Sequence, residues 1–93
     1  MTPLEILQKT AATVAERGAC YGESEGSLKK IASYWRLYLN SGFTLTAYDV
    51  AMMMLLLKVA RAQASPSHRD NYIDMAGYAA LAGNLADDKN TKA

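Results

Sequence analysis

The sequence has few of the residues from which small catalytic and metal sites are built. Its 93 residues include one cysteine, Cys20, and one histidine, His68. A lone cysteine excludes an internal disulfide, and one cysteine with one histidine cannot supply the four ligands of a structural zinc site. A hydrolytic triad cannot be assembled credibly either. The three glycines of residues 18–26 lack the Lys-Ser/Thr ending of a phosphate-binding P-loop. We therefore predict no catalytic residues, no bound metal and no cofactor.

Charge of one sign and long apolar segments are also missing. Ten Lys and Arg residues face nine Asp and Glu residues, for a net charge of +1, which argues against binding of a nucleic acid polymer through bulk charge. The longest apolar run, residues 50–57, is too short to cross a bilayer. The first residues lack the pattern of a signal peptide. We expect a cytoplasmic protein that binds neither nucleic acid polymers nor membranes.

Apolar residues, in contrast, are abundant. They make up 51% of the sequence, too many for a disordered chain. A chain of this length forms one domain, residues 1–93, and buries only about 60% of its unfolded surface. Since a small monomer has difficulty hiding so many apolar residues, we expect a homo-oligomer.

Helix start signals divide the chain into four helices. Thr2-Pro3-Leu4-Glu5 is a capping box, Thr46 to Asp49 is a second start of this type, and Ser67 to Asp70 resembles a third. The predicted helices span residues 3–18, 27–40, 47–64 and 68–86, with an ordered glycine-rich loop at 18–27 and a frayed tail at 87–93. No strand-like alternation is present. The sequence predicts an all-α fold, packed into an oligomeric helical bundle.

Apolar spacing also predicts which helix faces are apolar. In the second helix the residues at helical spacing are Leu28, Ile31, Trp35, Tyr38 and Leu39. The third helix is apolar on nearly every side, which predicts a central helix contacted from all directions.

Lys58 and Arg61 are the most suggestive polar residues, because they lie three positions apart on this apolar helix. Three interpretations remain open. They form ion pairs with Asp70 and Asp74, which share one face of the last helix; they hold an anionic ligand such as a phosphate; or they extend to solvent from the helix end. The two aspartates could alternatively share a Mg²⁺ ion, although Asp70 is more simply explained as a helix-start residue.

Four further residues are candidates for ligand binding. Arg17 and Tyr21 flank the glycine-rich loop, where Tyr21 could stack on a ring. Trp35 belongs to an aromatic stripe, which is more often core or subunit interface than ligand site. His68 lies at a helix start, where an anion could bind.

Several motifs in order resemble a family of short phage and prophage proteins of unknown function. They are Arg17-Gly18-x-x-Tyr21-Gly22, Ile31-Ala32-x-x-Trp35-x-x-Tyr38-Leu39, Asp49-Val50-Ala51-x-Met53-x-x-Leu56-x-Lys58-x-Ala60-Arg61 and His68-x-Asp70-x-x-x-Asp74-x-Ala76-Gly77-Tyr78. The resemblance covers nearly the whole chain. It implies a viral origin and confers no activity.

A weaker resemblance is to all-α nucleoside triphosphate pyrophosphohydrolases of the MazG type. Those enzymes hold Mg²⁺ with a Glu-Glu-x-x-Glu helix followed by a Glu-x-x-Asp helix. Asp70-x-x-x-Asp74 is similar in character but not in spacing, and Lys58 and Arg61 stand where the acidic cluster should be. Two cations at that place would repel a metal ion.

Three functions follow from these features. The first is a non-catalytic phage protein that sequesters a nucleotide-derived host immune signal. In it Lys58 and Arg61 hold phosphates with help from Arg17 and His68, Tyr21 or Trp35 stacks on the base, and Asp70 or Asp74 reads ribose or base donors. The second is a Mg²⁺-dependent MazG-like hydrolase with the two aspartates, Glu23 and Glu25 as ligands. The third is a protein–protein interaction module in which the two cations are paired with the two aspartates.

Overall fold

The protein is a set of four helices. A computed structural model describes residues 1–21, 24–40, 42 and 44–88, and within these ranges it contains four helices and no strand. They are α1 (Pro3–Tyr21), α2 (Ser24–Leu39), α3 (Ala47–Ala64) and α4 (Arg69–Asp88). The predicted all-α fold is confirmed. No helix within the described ranges is both long and apolar enough to span a membrane.

Two of the predicted helix starts are confirmed by their hydrogen bonds. At α1 the Thr2 N–H donates to Glu5 Oε1 (2.8 Å) and the Glu5 N–H donates to Thr2 Oγ1 (3.1 Å). At α3 the Thr46 N–H donates to Asp49 Oδ2 (2.9 Å) and the Asp49 N–H donates to Thr46 Oγ1 (3.3 Å). These bonds satisfy amide groups that the first helical turn would leave without partners. The backbone N–H and then the hydroxyl of Thr2 lower the pKa of the Glu5 carboxyl below its ordinary value.

The helix ends follow local rules as well. Asn40, directly after α2, has a φ of 49°, in the left-handed region that asparagine tolerates. At the end of α3 the Ser65 N–H donates to the Arg61 carbonyl (2.9 Å), and Pro66 follows. The turn is closed by the Tyr72 hydroxyl, which donates to the Pro66 carbonyl (2.7 Å). α4 begins at Arg69, one residue later than predicted.

The predicted loop at 18–27 is wrong over most of its length. Helix α1 continues through Gly18 to Tyr21, and α2 begins at Ser24 rather than after Ser27. Only residues 22 and 23 fall between the two helices, and they lie outside the described residues. A glycine inside a helix costs about 1 kcal/mol relative to alanine, which a helix of 19 residues tolerates. The predicted tail is shortened too, because α4 extends to Asp88; residues 89–93 lie outside the described residues.

An antiparallel hairpin of α3 and α4 forms the centre of the fold. The two helices make the most extensive contact, α2 packs against α3, and α1 packs against α4. α1 runs parallel to α4, since the Thr10 hydroxyl lies 3.4 Å from the Ile73 carbonyl oxygen and Val14 lies beside Gly77. Gly77 therefore lies at the contact between α1 and α4, where an added Cβ would meet Val14 and Thr10 at ordinary van der Waals distances.

The core is concentrated where α2, α3 and the second half of α4 meet. Its buried members are Leu28, Ala32, Ala47, Val50, Ala51, Ala82 and Leu85, and partly buried Ile31, Trp35, Leu45, Tyr48 and Met54 pack against them. Two expectations about helix faces are wrong. Tyr38 and Leu39 of α2 are exposed instead of joining Trp35 at the core, and Met52, Met53, Leu56 and Leu57 leave one side of α3 open to solvent. The third helix is central, but it is not contacted from all sides.

Candidate functional site

Lys58 and Asp74 form an ion pair across the α3–α4 hairpin. Lys58 Nζ lies 2.9 Å from Asp74 Oδ2, and each side chain is 15% exposed. The distance is that of a charge-assisted hydrogen bond, and both charges are largely withdrawn from water. Of the three interpretations of Lys58, the structure shows the ion pair.

Arg61 and Asp70 do not take part in that pair. Both are exposed, and no ion pair to either is present among the described residues. The reason is the seam between the helices: Ala62 on α3 and Asn71 on α4 fill it one turn closer to the connecting turn, and both are buried. Arg61 and Asp70 each precede one of these residues and are therefore rotated out of the seam by about 100°.

Exposed His68 lies at the same end of the hairpin as Arg61 and Asp70. This end therefore presents an arginine, a histidine and a carboxylate to solvent, each within four residues of the turn that connects the two helices. Three of the eight predicted ligand-binding residues thus lie at one end of the hairpin, and the Lys58–Asp74 pair lies about one helical turn away.

The other predicted residues lie elsewhere. Arg17 is exposed near the C-terminal end of α1, and because α1 runs parallel to α4, it lies about 15 Å further along α4 than Asp70. Trp35 packs against the core cluster at the opposite end of the hairpin. Tyr21 ends α1, and its side chain lies outside the described residues.

A metal site is not assembled in the described part of the chain. No group of three His, Cys, Asp or Glu side chains that could hold a metal ion is found there. Asp74 is engaged by Lys58, and Asp70 lies one turn away on the exposed side of α4. The side chains of Glu23 and Glu25, the other two ligands of the hydrolase hypothesis, lie outside the described residues.

Sequence reasoning predicted a surplus of apolar residues but missed where they are exposed on the folded chain. Large apolar side chains are exposed on the three helices that flank or form the hairpin. They are Leu4, Leu7 and Val14 on α1; Tyr34, Leu37, Tyr38 and Leu39 on α2; and Met52, Met53, Leu56 and Leu57 on α3. The signal for this surface was the apolar content of 51%. It indicated more apolar residues than a small monomer can bury, but it did not show where the exposed ones lie.

The chain is similar to two curated phage proteins. It is 39% identical to the Gene 55 protein of Mycobacterium phage L5 over 66 residues, which are 71% of this chain and 42% of that protein. It is 41% identical to the Gene 55 protein of Mycobacterium phage D29 over 64 residues, which are 69% of this chain and 41% of that protein. The chain thus spans less than half the length of these relatives. No solved structure matches it.

These similarities confirm the predicted relation to phage proteins of unknown function. The sequence pattern of one family matches residues 5–86, nearly the whole described chain. The chain belongs to the family described as the domain of unknown function DUF6378.

Proposed function

We propose that this phage-family domain is a non-catalytic protein–protein interaction module that packs its exposed apolar helix faces against another protein chain. The observation that carries the proposal is the large apolar surface on α1, α2 and α3. Soluble monomers rarely expose contiguous apolar patches of more than a few hundred Å², and larger ones mark interaction sites. The patches here combine leucine, methionine and tyrosine, and tyrosine and methionine are enriched at protein interfaces.

The Lys58–Asp74 pair supports this function. An interaction module has no need of a free cation on α3, and here the most buried cation of the candidate site already has its counterion 2.9 Å away. Binding of a phosphate by Lys58 would separate it from Asp74 and leave that carboxylate largely buried without a partner. Lys58 is therefore better explained as part of the α3–α4 seam than as a ligand-binding residue.

A second function is favoured by the exposed hairpin end. Arg61 and His68 present two groups there that can donate hydrogen bonds to an anion, and neighbouring Asp70 could accept hydrogen bonds from a ribose or base. These three residues are the part of the predicted nucleotide site that lies at this end of the hairpin. A phage protein acting in the cytoplasm of its host could use it to sequester a nucleotide-derived immune signal.

Native mass spectrometry of the protein purified from phage-infected cells tests both functions in one measurement. The interaction module predicts a complex of defined stoichiometry, either of several copies or with one other chain, and no bound small molecule. An added mass matching a nucleotide, lost in Arg61→Ala but kept in the matched variant Arg17→Ala, would establish the second function instead. A monomer with neither partner nor small molecule at micromolar concentration contradicts both.

Hydrolysis is examined on the same sample. Release of phosphate or pyrophosphate from nucleoside triphosphates in the presence of Mg²⁺, abolished by Asp74→Ala, would overturn the non-catalytic assignment. Because Asp74→Ala also breaks the Lys58 ion pair, helical circular dichroism must show that the variant is folded. Asp70→Ala is the matched variant, because it removes the other proposed Mg²⁺ ligand and leaves the Lys58–Asp74 ion pair intact.

A further inference from the structure

We infer that the exposed stripe of Tyr34, Leu37 and Tyr38 on α2 is the interface of a homodimer, in which α2 of one copy packs antiparallel against α2 of the other. The inference rests on the proposed function and names the partner. The three residues are spaced i, i+3 and i+4, so they share one helix face. They are 64%, 78% and 88% exposed, respectively.

Helix α2 carries apolar residues beyond its core face, and only the core face is covered within the chain. Leu28 and Ala32 are buried, and Trp35 packs with them in the core cluster. The aromatic stripe lies beside this face, between about 60° and 160° around the helix from Trp35, and no part of the described chain covers it. An amphipathic surface helix of a monomer would instead carry polar residues on its outer face. The stripe therefore consists of residues that are usually buried, although it lies where the helix meets solvent.

The chain exposes more surface than a monomer of its mass usually does, and the excess is more than one dimer interface would cover. The chain exposes 6536 Å², whereas a monomeric protein of 10.1 kDa exposes about 5,300 Å² by the usual scaling with mass. The difference is about 1,200 Å², and a stable dimer needs about 800 Å² per partner. The radius of gyration points the same way, being 14.1 Å against about 12.3 Å for a compact domain of this length.

A second copy fits this stripe better than an unrelated protein. A two-fold axis needs a surface that is complementary to itself. An antiparallel helix pair whose two-fold axis lies level with position 36 meets that need, because it places Tyr34 opposite the partner's Tyr38 and the reverse, with both Leu37 side chains beside the axis. The net charge of +1 leaves two copies almost without mutual repulsion. Obligate homodimer interfaces are also the more apolar class.

Sedimentation velocity of the purified full chain between 1 and 100 µM tests the inference. The wild type is expected to sediment as a dimer, and Leu37→Asp is expected to weaken dimerisation at least 100-fold. Leu7→Asp is the matched control: it makes the same change at a leucine of α1 that is 59% exposed, and it should leave the dimer intact. A monomeric wild type at 100 µM, or equal loss in the two variants, overturns the inference.

A cross-linking variant keeps the test decisive if Leu37→Asp does not fold without its partner. In a Cys20→Ser background, Leu37→Cys should form a covalent dimer under mild oxidation, because the two cysteines face each other near the axis. Leu7→Cys in the same background should stay monomeric on a non-reducing gel. Absence of a cross-link at position 37 contradicts the antiparallel α2 pair.

The two proposals fail in different ways. A wild-type monomer that nevertheless forms a stoichiometric complex with one other protein in native mass spectrometry overturns the homodimer and leaves the interaction module standing. A chain that is monomeric and without partner in both experiments overturns both.

Discussion

Breaking the Lys58–Asp74 pair should destabilise the fold, and removing both partners together should restore most of the loss. Two unit charges about 4 Å apart attract by about 4 kcal/mol at the effective dielectric of a partly buried site. Desolvation of two side chains that are only 15% exposed offsets part of this attraction. We therefore expect a coupling free energy of about 3 kcal/mol, above the value of up to about 1 kcal/mol for exposed pairs.

The two single substitutions should differ in cost. Lys58→Met leaves a short carboxylate fixed in the helix seam without its cation, and we expect it to lower the free energy of unfolding by about 2 to 3 kcal/mol. Asp74→Leu leaves a lysine that can extend its long side chain to water, so its cost should be about 1 to 2 kcal/mol. The double variant replaces the pair by apolar contact and should lie within about 1 kcal/mol of the wild type.

Urea denaturation followed by circular dichroism at 222 nm measures this cycle. All four proteins must be compared at one concentration, because association adds to the apparent stability. The control cycle uses Arg61→Met and Asp70→Leu, two exposed residues outside the seam, whose coupling should be close to zero. A coupling of Lys58 and Asp74 below about 0.5 kcal/mol would refute the structural role of the pair and return Lys58 to the ligand-binding candidates.

Three further outcomes are expected from the helices themselves. Thr46→Ala should lower the free energy of unfolding by about 1 kcal/mol because it removes the α3 cap, with Thr44→Ala unchanged in the same urea titration. The pKa of Glu5 is lowered in the folded protein, so the stabilisation it gives is present at neutral pH and lost as the pH falls through that pKa; Thr2→Ala should raise the pKa part of the way back in an NMR titration. Gly83→Ala should raise the urea midpoint and increase the free energy of unfolding by about 0.5 to 1 kcal/mol, since no atom lies within 4 Å of the added methyl group. A lower free energy of unfolding would mean that this side of α4 is covered.

The helix starts could be predicted because their signals are local. A capping box needs only the hydroxyl and the carboxylate of residues three apart, as in Thr2 and Glu5, and both boxes form as predicted. The end of α1 could not be predicted from Gly18 in the same way. Whether a glycine ends a helix depends on how much the following turn gains from continuing, and here the helix runs on to Tyr21.

The partners of the apolar faces could not be predicted because they depend on the packing of distant segments. Spacing identifies α1 and α2 as helices, but it does not say which side meets the rest of the chain. In α1 the contact with α4 is made through buried Thr10 rather than through the exposed leucines Leu4 and Leu7. Thr10 can be buried because its hydroxyl donates to the Ile6 carbonyl at 2.7 Å. Its burial therefore leaves no hydrogen-bond donor unsatisfied.

The candidate site shows the same division between local and non-local information. The sequence places Lys58 and Arg61 on one helix and Asp70 and Asp74 on the next, and an ion pair between the helices was one of three open interpretations. The register of the hairpin decides among them. Lys58 precedes Pro66 by eight residues and Asp74 follows it by eight, so the pair meets across the seam while Arg61 and Asp70 point outward.

The anchoring of α2 bears on how tightly the stripe can bind. Trp35 packs against the core in the same helical turns that carry the exposed Tyr34 and Tyr38. Packing of the indole against the hairpin therefore fixes the helix backbone that carries the two tyrosines before any partner binds. This lowers the conformational entropy that is lost on association. A helix with a polar core side would not be held against the hairpin, and its stripe would then have no fixed position. The core side of α2 thus fixes the helix against the hairpin. Because the helix is fixed, its exposed stripe is a more effective binding surface.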